Sequence, residues 1–180
     1  MLNSQKNYFE LFDLPVGFAL DSGVLAERYR ALVRAVRADF LSDEEDETAR
    51  SLARIDLAYQ TLTEPLARAE YLFRLYGVQG TETSGDDDSA STTLVDEMER
   101  QEALVAATNR SDPGAALSEV LTRLAERGAA LDKELHQLFA DPTPHNLGAA
   151  REVVRQLQGL ARCRRETEER QAELLRPRPA

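Results

Sequence analysis

The sequence predicts an all-α protein: a set of short N-terminal helices, then a C-terminal three-helix bundle. Three observations predict it. Apolar residues recur at helical spacing through most of the chain. No stretch reads convincingly as a strand, and no internal repeat is present. One Gly/Ser/Thr/Asp-rich segment, "VQGTETSGDDDSAST" at 78–92, reads as a linker or flexible loop between the two halves.

Each element has a local reason. "NYFELFDLP" offers Tyr8, Phe9, Leu11 and Phe12 as core surface in one short helical turn, which Pro15 is expected to end. Asp21 or Ser22 can cap the next helix by accepting a free backbone N–H. In that helix Leu25, Tyr29, Leu32, Val33 and Val36 form the buried stripe. Arg30, Arg34 and Arg37 fall on another face at i, i+4 and i+7, which keeps three positive charges in water. "SDEEDE" at 42–47 is a solvated loop or a helix start, where acidic groups complement the positive end of a helix dipole. The following helix carries Leu52, Ile55, Tyr59 and Leu62 on one stripe. "TEP" at 63–65 turns the chain into a fourth helix that runs to Gly77, a C-terminal capping glycine.

Beyond the linker one helical segment covers about 93–108. A second opens at Asp112-Pro113, an N-cap and N1 pair, and carries Leu117, Val120, Leu121, Leu124, Leu131, Leu135 and Leu138. "DPTP" at 141–144 breaks it, and a last helix runs from about 145 to 174 before "RPRPA" frays. Three long amphipathic helices with short breaks imply a three-helix bundle.

Composition narrows the function. The chain has 180 residues, 42% of them hydrophobic and 30% charged, with a formal net charge of −10. Nucleic acid is a poor partner for that charge, because phosphate binding needs a dominant basic field. One cysteine, Cys163, excludes an internal disulfide and suits a reducing compartment. The N-terminus lacks the pattern of a signal peptide, and no apolar run approaches the roughly 20 residues that span a bilayer. A cytoplasmic protein that needs no membrane is expected.

Catalytic and metal signals are scarce. His136 and His145 lie nine apart, without metal-ligand spacing, and read as surface residues. Cys163 is flanked by arginines but has no neighbouring base or resolving cysteine, so it reads as a structural thiol. Asp86, Asp88 and Glu97 occupy three positions of a calcium loop, but Ser91 stands where that loop needs glycine. No Gly-rich phosphate loop is present. No cofactor, no metal and no enzymatic activity are expected.

Two surface features remain. On charge alone the arginine row is a solvated face or a docking face for an acidic partner. In "TLVDEMERQEAL", 93–104, Leu94, Val95 and Met98 lie near one side, flanked by Glu97, Glu99 and Glu102. That segment is either a bundle helix burying its apolar side or an exposed apolar patch with a polar rim. Spacing does not separate the two.

Taken together, these segments resemble the HscB-type J-domain co-chaperones of iron–sulfur cluster assembly. "NYFELFDLP" with "LDSGVLAERYRALVRAV" looks like that family's opening helices. "IDLAYQTLTEPLARAEYLFRLYG", 55–77, is similar to its Asn-Gln-Ala-Trp/Tyr-x-x-Leu … Arg-Ala-x-Tyr-Leu-Leu stretch, and "TLVDEMERQEAL" resembles its scaffold-binding helix. The resemblance implies a J-domain with an antiparallel helical hairpin core over 1–77, a linker over 78–92 and a scaffold-binding three-helix bundle over 93–176. It implies two partners, a DnaK/HscA-type chaperone and an IscU-type scaffold. Arg30, Arg34, Arg37 and Asp39 would dock the chaperone; Leu94, Val95, Met98, Glu99 and Glu102 would bind the scaffold.

The chain departs from the family in two places. Where members carry His-Pro-Asp, the trigger of ATP hydrolysis in the partner, this chain has Arg37-Ala38-Asp39. Proline stops a helix and restricts the residue before it, whereas alanine lets the helix continue. A docking helix with a lost or altered trigger is therefore expected. In the last helix Gly159 stands where a large aromatic should complete the scaffold patch. The alternative is a helical interaction module that keeps the J fold and works without a chaperone.

Overall fold

The structure, a computed structural model, describes residues 6–38, 45–78, 102, 105–107 and 109–175. All regular secondary structure among them is helical. The chain divides into two compact units, Met1–Gln79 and Gly80–Ala180.

In the first unit, α1 (Tyr8–Leu11) is only four residues long, and its two ends hold it. At the start the Asn7 side chain accepts from the Glu10 N–H at 2.9 Å, and Glu10 Oε2 accepts from the Asn7 N–H at 2.9 Å. This reciprocal cap satisfies two free donors. At the other end Asp13 takes a left-handed φ of 54°. Its N–H reaches the Glu10 carbonyl at 3.3 Å and the Leu14 N–H reaches the Phe9 carbonyl at 2.9 Å. That is a Schellman closure. The expected stop at Pro15 is thus corrected: the helix ends at Leu11, on the left-handed turn at Asp13.

Helix α2 (Ser22–Ala38) is capped by Asp21, whose Oδ1 accepts from Gly23 N at 2.8 Å and Val24 N at 3.0 Å. The cap is therefore Asp21, with Ser22 as the first helical residue. Helix α3 (Glu45–Thr63) buries Ile55, Ala58 and Leu62. The span from 39 to 44 is too short to return to the far end of a 17-residue helix, so α2 and α3 run antiparallel. Pro65 opens α4 (Pro65–Leu75) at its first position. Gly77, at φ 69°, closes α4: its N–H meets Arg74 O at 3.2 Å while Val78 N–H meets Phe73 O at 2.9 Å. This second Schellman closure agrees with the capping role expected of Gly77.

The core of this unit joins Phe9, Phe12, Phe18, Leu25, Ile55, Leu62 and Leu72. Of the expected α2 stripe only Leu25 is fully buried; Tyr29, Leu32, Val33 and Val36 are half-buried. Arg68 is buried as well, at 7% exposure. Its guanidinium lies 4.9 Å from the Phe18 ring centroid, and its Nη1 donates to the Leu62 carbonyl at 2.7 Å. The carbonyl belongs to the last turn of α3, which has no helical donor left to satisfy it.

In the second unit, α5 (Pro113–Ala140) starts on Asp112, whose side chain accepts from Ala115 N at 3.0 Å, with Pro113 at the first position. Three residues separate it from α6 (Pro144–Leu175), so the two form an antiparallel hairpin. Two cross-links confirm the direction: Arg127 Nη2 to Gln156 Oε1 at 3.2 Å, and Gln171 Nε2 to Ser118 Oγ at 2.8 Å. Leu117, Leu131, Leu135 and Phe139 of α5 and Leu147, Ala150, Val153 and Val154 of α6 are buried. Farther along α6, Gly159, Cys163 and Thr167 form a buried row of small side chains at i, i+4 and i+8. Of the expected helix over 93–108, the described residues Glu102 and 105–107 are helical. Ala107 packs with Ala116 and Leu117. Among the described residues no helix is long and apolar enough to cross a membrane.

Candidate functional site

Helix α2 places Arg30, Arg34 and Arg37 on its exposed side. The sequence dictates this: Leu25 and the half-buried stripe turn inward, and the arginines fall on another, exposed face of the helical wheel. Arg30 Nε donates to its own helix at the Ala26 carbonyl, 3.1 Å away. Among the described residues neither Arg34 nor Arg37 has a carboxylate within ion-pair distance. Arg28 points elsewhere and sits 3.5 Å from Asp13. The helix continues through Arg37 and Ala38, as the absence of proline there predicts. Arg37 in its last turn complements the negative end of the helix dipole. Asp39 lies outside the described residues.

Behind this row a side-chain contact ties α2 to α3. Tyr29 Oη donates to Asp56 Oδ1 at 2.9 Å, and the Tyr29 ring stacks on Tyr59 with centroids 4.3 Å apart. The bond to Asp56 holds the Tyr29 hydroxyl above its ordinary pKa, burial adds to this, and Arg37 opposes it. The sequence reading placed Tyr29 only in the apolar stripe and missed Asp56. The available signal was a tyrosine in a stripe otherwise built of Leu and Val.

Of the second expected set, Glu102 is helical and exposed. Leu94, Val95, Met98 and Glu99 lie outside the described residues. Gly159 is buried. The remaining chemistry-bearing residues do not converge. His136 and His145 are both exposed, and His136 Nδ1 lies 2.9 Å from the Asp132 carbonyl of its own helix. Cys163 is buried. Among the described residues no three His, Cys, Asp or Glu side chains gather as a metal site. The feature the described residues do present is the exposed row of like charge on α2.

Residues 89–174 match a family described as the HSCB C-terminal oligomerisation domain. Over 161 residues the chain is 36% identical to the co-chaperone protein HscB homolog of Shewanella baltica (strain OS195), covering 87% of this chain and 91% of that one. The homolog from Shewanella amazonensis is 33% identical over 174 residues, 94% of this chain and 99% of that one. Among solved structures, chaperone HscB from Vibrio cholerae aligns with a TM-score of 0.77 and 33% identity, covering 94% of this chain and all of that one. Human co-chaperone protein HscB aligns with a TM-score of 0.74 at 24% identity, over 93% of this chain and 83% of that one. The human likeness speaks to fold alone.

Proposed function

The chain belongs to the HscB family of co-chaperones, and from that premise we propose that it is a cytoplasmic, non-enzymatic adaptor in iron–sulfur cluster biogenesis. It brings an IscU-type scaffold to a DnaK/HscA-type chaperone. Residues 1–77 act as the J-domain, 78–92 as the linker and 93–176 as the scaffold-binding bundle. Arg30, Arg34 and Arg37, with Asp39, dock the chaperone; Leu94, Val95, Met98, Glu99 and Glu102 bind the scaffold.

The observation that carries this reading is the exposed arginine row on α2, held on a hairpin of the right topology and left without carboxylate partners among the described residues. An acidic ATPase surface would meet three guanidiniums spaced along one helix side. Guanidiniums are well suited to carboxylates, because their planar fork pairs in two directions at once. The adaptor works by proximity: it raises the scaffold's effective concentration at the chaperone.

Stimulation of ATP hydrolysis is expected to be weak or lost, since Arg37-Ala38-Asp39 replaces the family's His-Pro-Asp and α2 runs helically through Ala38. The test is steady-state ATP hydrolysis by the chaperone with scaffold, with and without this chain. Stimulation equal to that of a relative with the intact motif overturns the lost-trigger reading. The double substitution Arg37→His, Ala38→Pro is expected to raise stimulation severalfold. The same replacement favours a second reading, a helical interaction module that has left the chaperone. A pull-down in which the scaffold is recovered and no DnaK-type chaperone is bound supports that module over the adaptor.

A further inference from the structure

We propose that Asp56 is a positioning residue for the arginine row: by accepting the Tyr29 hydroxyl across the hairpin, it fixes the rotation of α2 on α3. The inference rests on the docking reading above and deepens it.

Among the described residues, the other directional side-chain contact of α2 with the rest of its unit is the exposed Arg28–Asp13 pair at 3.5 Å, a weak constraint in water. Apolar contact is non-directional, so a half-buried stripe tolerates rotation about the helix axis. Leu25 is the fully buried residue of α2, and it sits in the first turns. Leu32, Val33 and Val36, which lie nearer the arginines, are half-buried. Nor does a proline at the end of α2 supply the constraint. A proline there would restrict the backbone at its own position and at the residue before it, and this chain has Ala38.

Tyr29 supplies what the stripe does not. Its side chain is held at two points on α3: the ring against Tyr59, 4.3 Å between centroids, and the hydroxyl on Asp56 at 2.9 Å. Asp56 and Tyr59 are one turn apart on the same side of α3. A rigid aromatic ring gripped at its face and its tip has one position, and it sets the rotation of the helix that bears it. Arg30 follows Tyr29 directly, about 100° around the helix. Arg34 and Arg37 continue that row. The direction of all three guanidiniums is therefore coupled to the Tyr29–Asp56 bond. The acceptor is a carboxylate, which makes the bond stronger than one between neutral groups. The raised pKa of Tyr29, caused first by this bond, agrees with the geometry.

The experiment compares Tyr29→Phe, Asp56→Ala, Asp56→Asn and the Tyr29→Phe/Asp56→Ala double variant in the full chain. Amide hydrogen exchange is read in the free protein, and affinity is read with an ATP-bound DnaK-type chaperone. Tyr29→Phe keeps the stacked ring and removes the hydroxyl. Asp56→Asn keeps an acceptor oxygen and removes the charge. Tyr29→Phe and Asp56→Ala are each expected to raise exchange over 30–38 by roughly threefold, the scale of one exposed charge-assisted bond. Each weakens chaperone binding by a similar factor, while exchange over 66–75 is unchanged. The double variant is no worse than the worse single one, and Asp56→Asn keeps most of the protection. Exchange in Tyr29→Phe equal to that of the unsubstituted chain overturns the proposal. So does Asp56→Asn as damaging as Asp56→Ala beside a silent Tyr29→Phe, because charge rather than the bond is then at work. If the unsubstituted chain binds no DnaK-type chaperone, the docking reading fails and exchange alone judges the rotation lock.

Discussion

Residues 1–79 hold all five tyrosines and five of the six phenylalanines of the chain; residues 80–180 hold Phe139 and no tyrosine. The first unit packs rings whose shape and direction matter. Tyr8 stacks on Tyr71 at 4.4 Å, Phe9 tilts against Tyr71 at 6.1 Å, and Arg68 lies over Phe18 at 4.9 Å. The second unit packs Leu, Val and Ala along a hairpin, with Gly159, Cys163 and Thr167 as a further buried row. Ring geometry constrains residue identity, whereas a helical hairpin asks mainly for apolar side chains of about the right size at the right spacing. That difference agrees with a resemblance that is specific in the first half of the chain and loose after about 110, although residues 89–174 still match the family as a whole.

The largest expected effects test this contrast in the two cores. Phe9→Ala is expected to cost about 4 kcal/mol, the scale of a buried ring lost with incomplete collapse. Leu135→Met in the hairpin conserves volume and is expected to cost less than about 1.5 kcal/mol. Urea unfolding checks both: tyrosine fluorescence reports the first unit alone, because every tyrosine lies there, and circular dichroism reports all helices. If Leu135→Met costs as much as Phe9→Ala, the two cores are equally demanding and the contrast is broken. Next in size is Arg68→Ala, at about 2–3 kcal/mol, because the buried Leu62 carbonyl loses its side-chain donor and Phe18 its cation. Arg68→Met keeps the aliphatic packing and is expected to recover part of that loss.

What the sequence disclosed follows the same division. Helix positions were legible because apolar spacing and the caps at Asp112, Pro113 and Gly77 are local signals. Phe18 and Arg68 were not. The first is buried from a loop that has no period, and the second is a charged residue whose burial depends on partners in two other segments. The end of α1 was misplaced because Pro15 is a conspicuous stop signal, while a left-handed aspartate at position 13 is not. In the site, spacing alone exposed the arginine row. Asp56 stayed hidden, since no local pattern says which α3 side chain meets Tyr29 across a hairpin.

Two glycines, one in each unit, sharpen the comparison at a scale of about 1 kcal/mol. Gly77 sits at φ 69° with open space where a Cβ would stand, so Gly77→Ala meets a backbone penalty without a clash. It is expected to destabilise by about 1 kcal/mol. Gly148 lies inside α6, is exposed, and also has open space around a new Cβ. Gly148→Ala is expected to stabilise by about 0.5–1 kcal/mol, since it removes unfolded-state freedom at no native cost. Urea midpoints that move in the same direction for both would contradict the assigned backbone roles.

The smallest expected effect is a pH dependence confined to the ring-packed unit. Burial raises the Tyr71 pKa above its ordinary value of 10.0, although the Tyr8 N–H donating to its hydroxyl oxygen at 2.8 Å works the other way. Between the unfolded and folded pKa values the unfolded chain has released a proton that the folded chain still holds. Stability must then fall as pH rises. The contribution is fully present below pH 10 and is lost as pH climbs through the folded value. Tyr71→Phe cannot titrate, so its stability is expected to decline less steeply above pH 10 than that of the unsubstituted chain. It also starts lower at neutral pH, because the Tyr8 N–H loses its acceptor. The α5–α6 hairpin contains no tyrosine and has no part in this loss. Equal alkaline slopes for Tyr71→Phe and the parent would show that burial does not hold the Tyr71 proton, and that the stacked pair at the start of the chain is open to water.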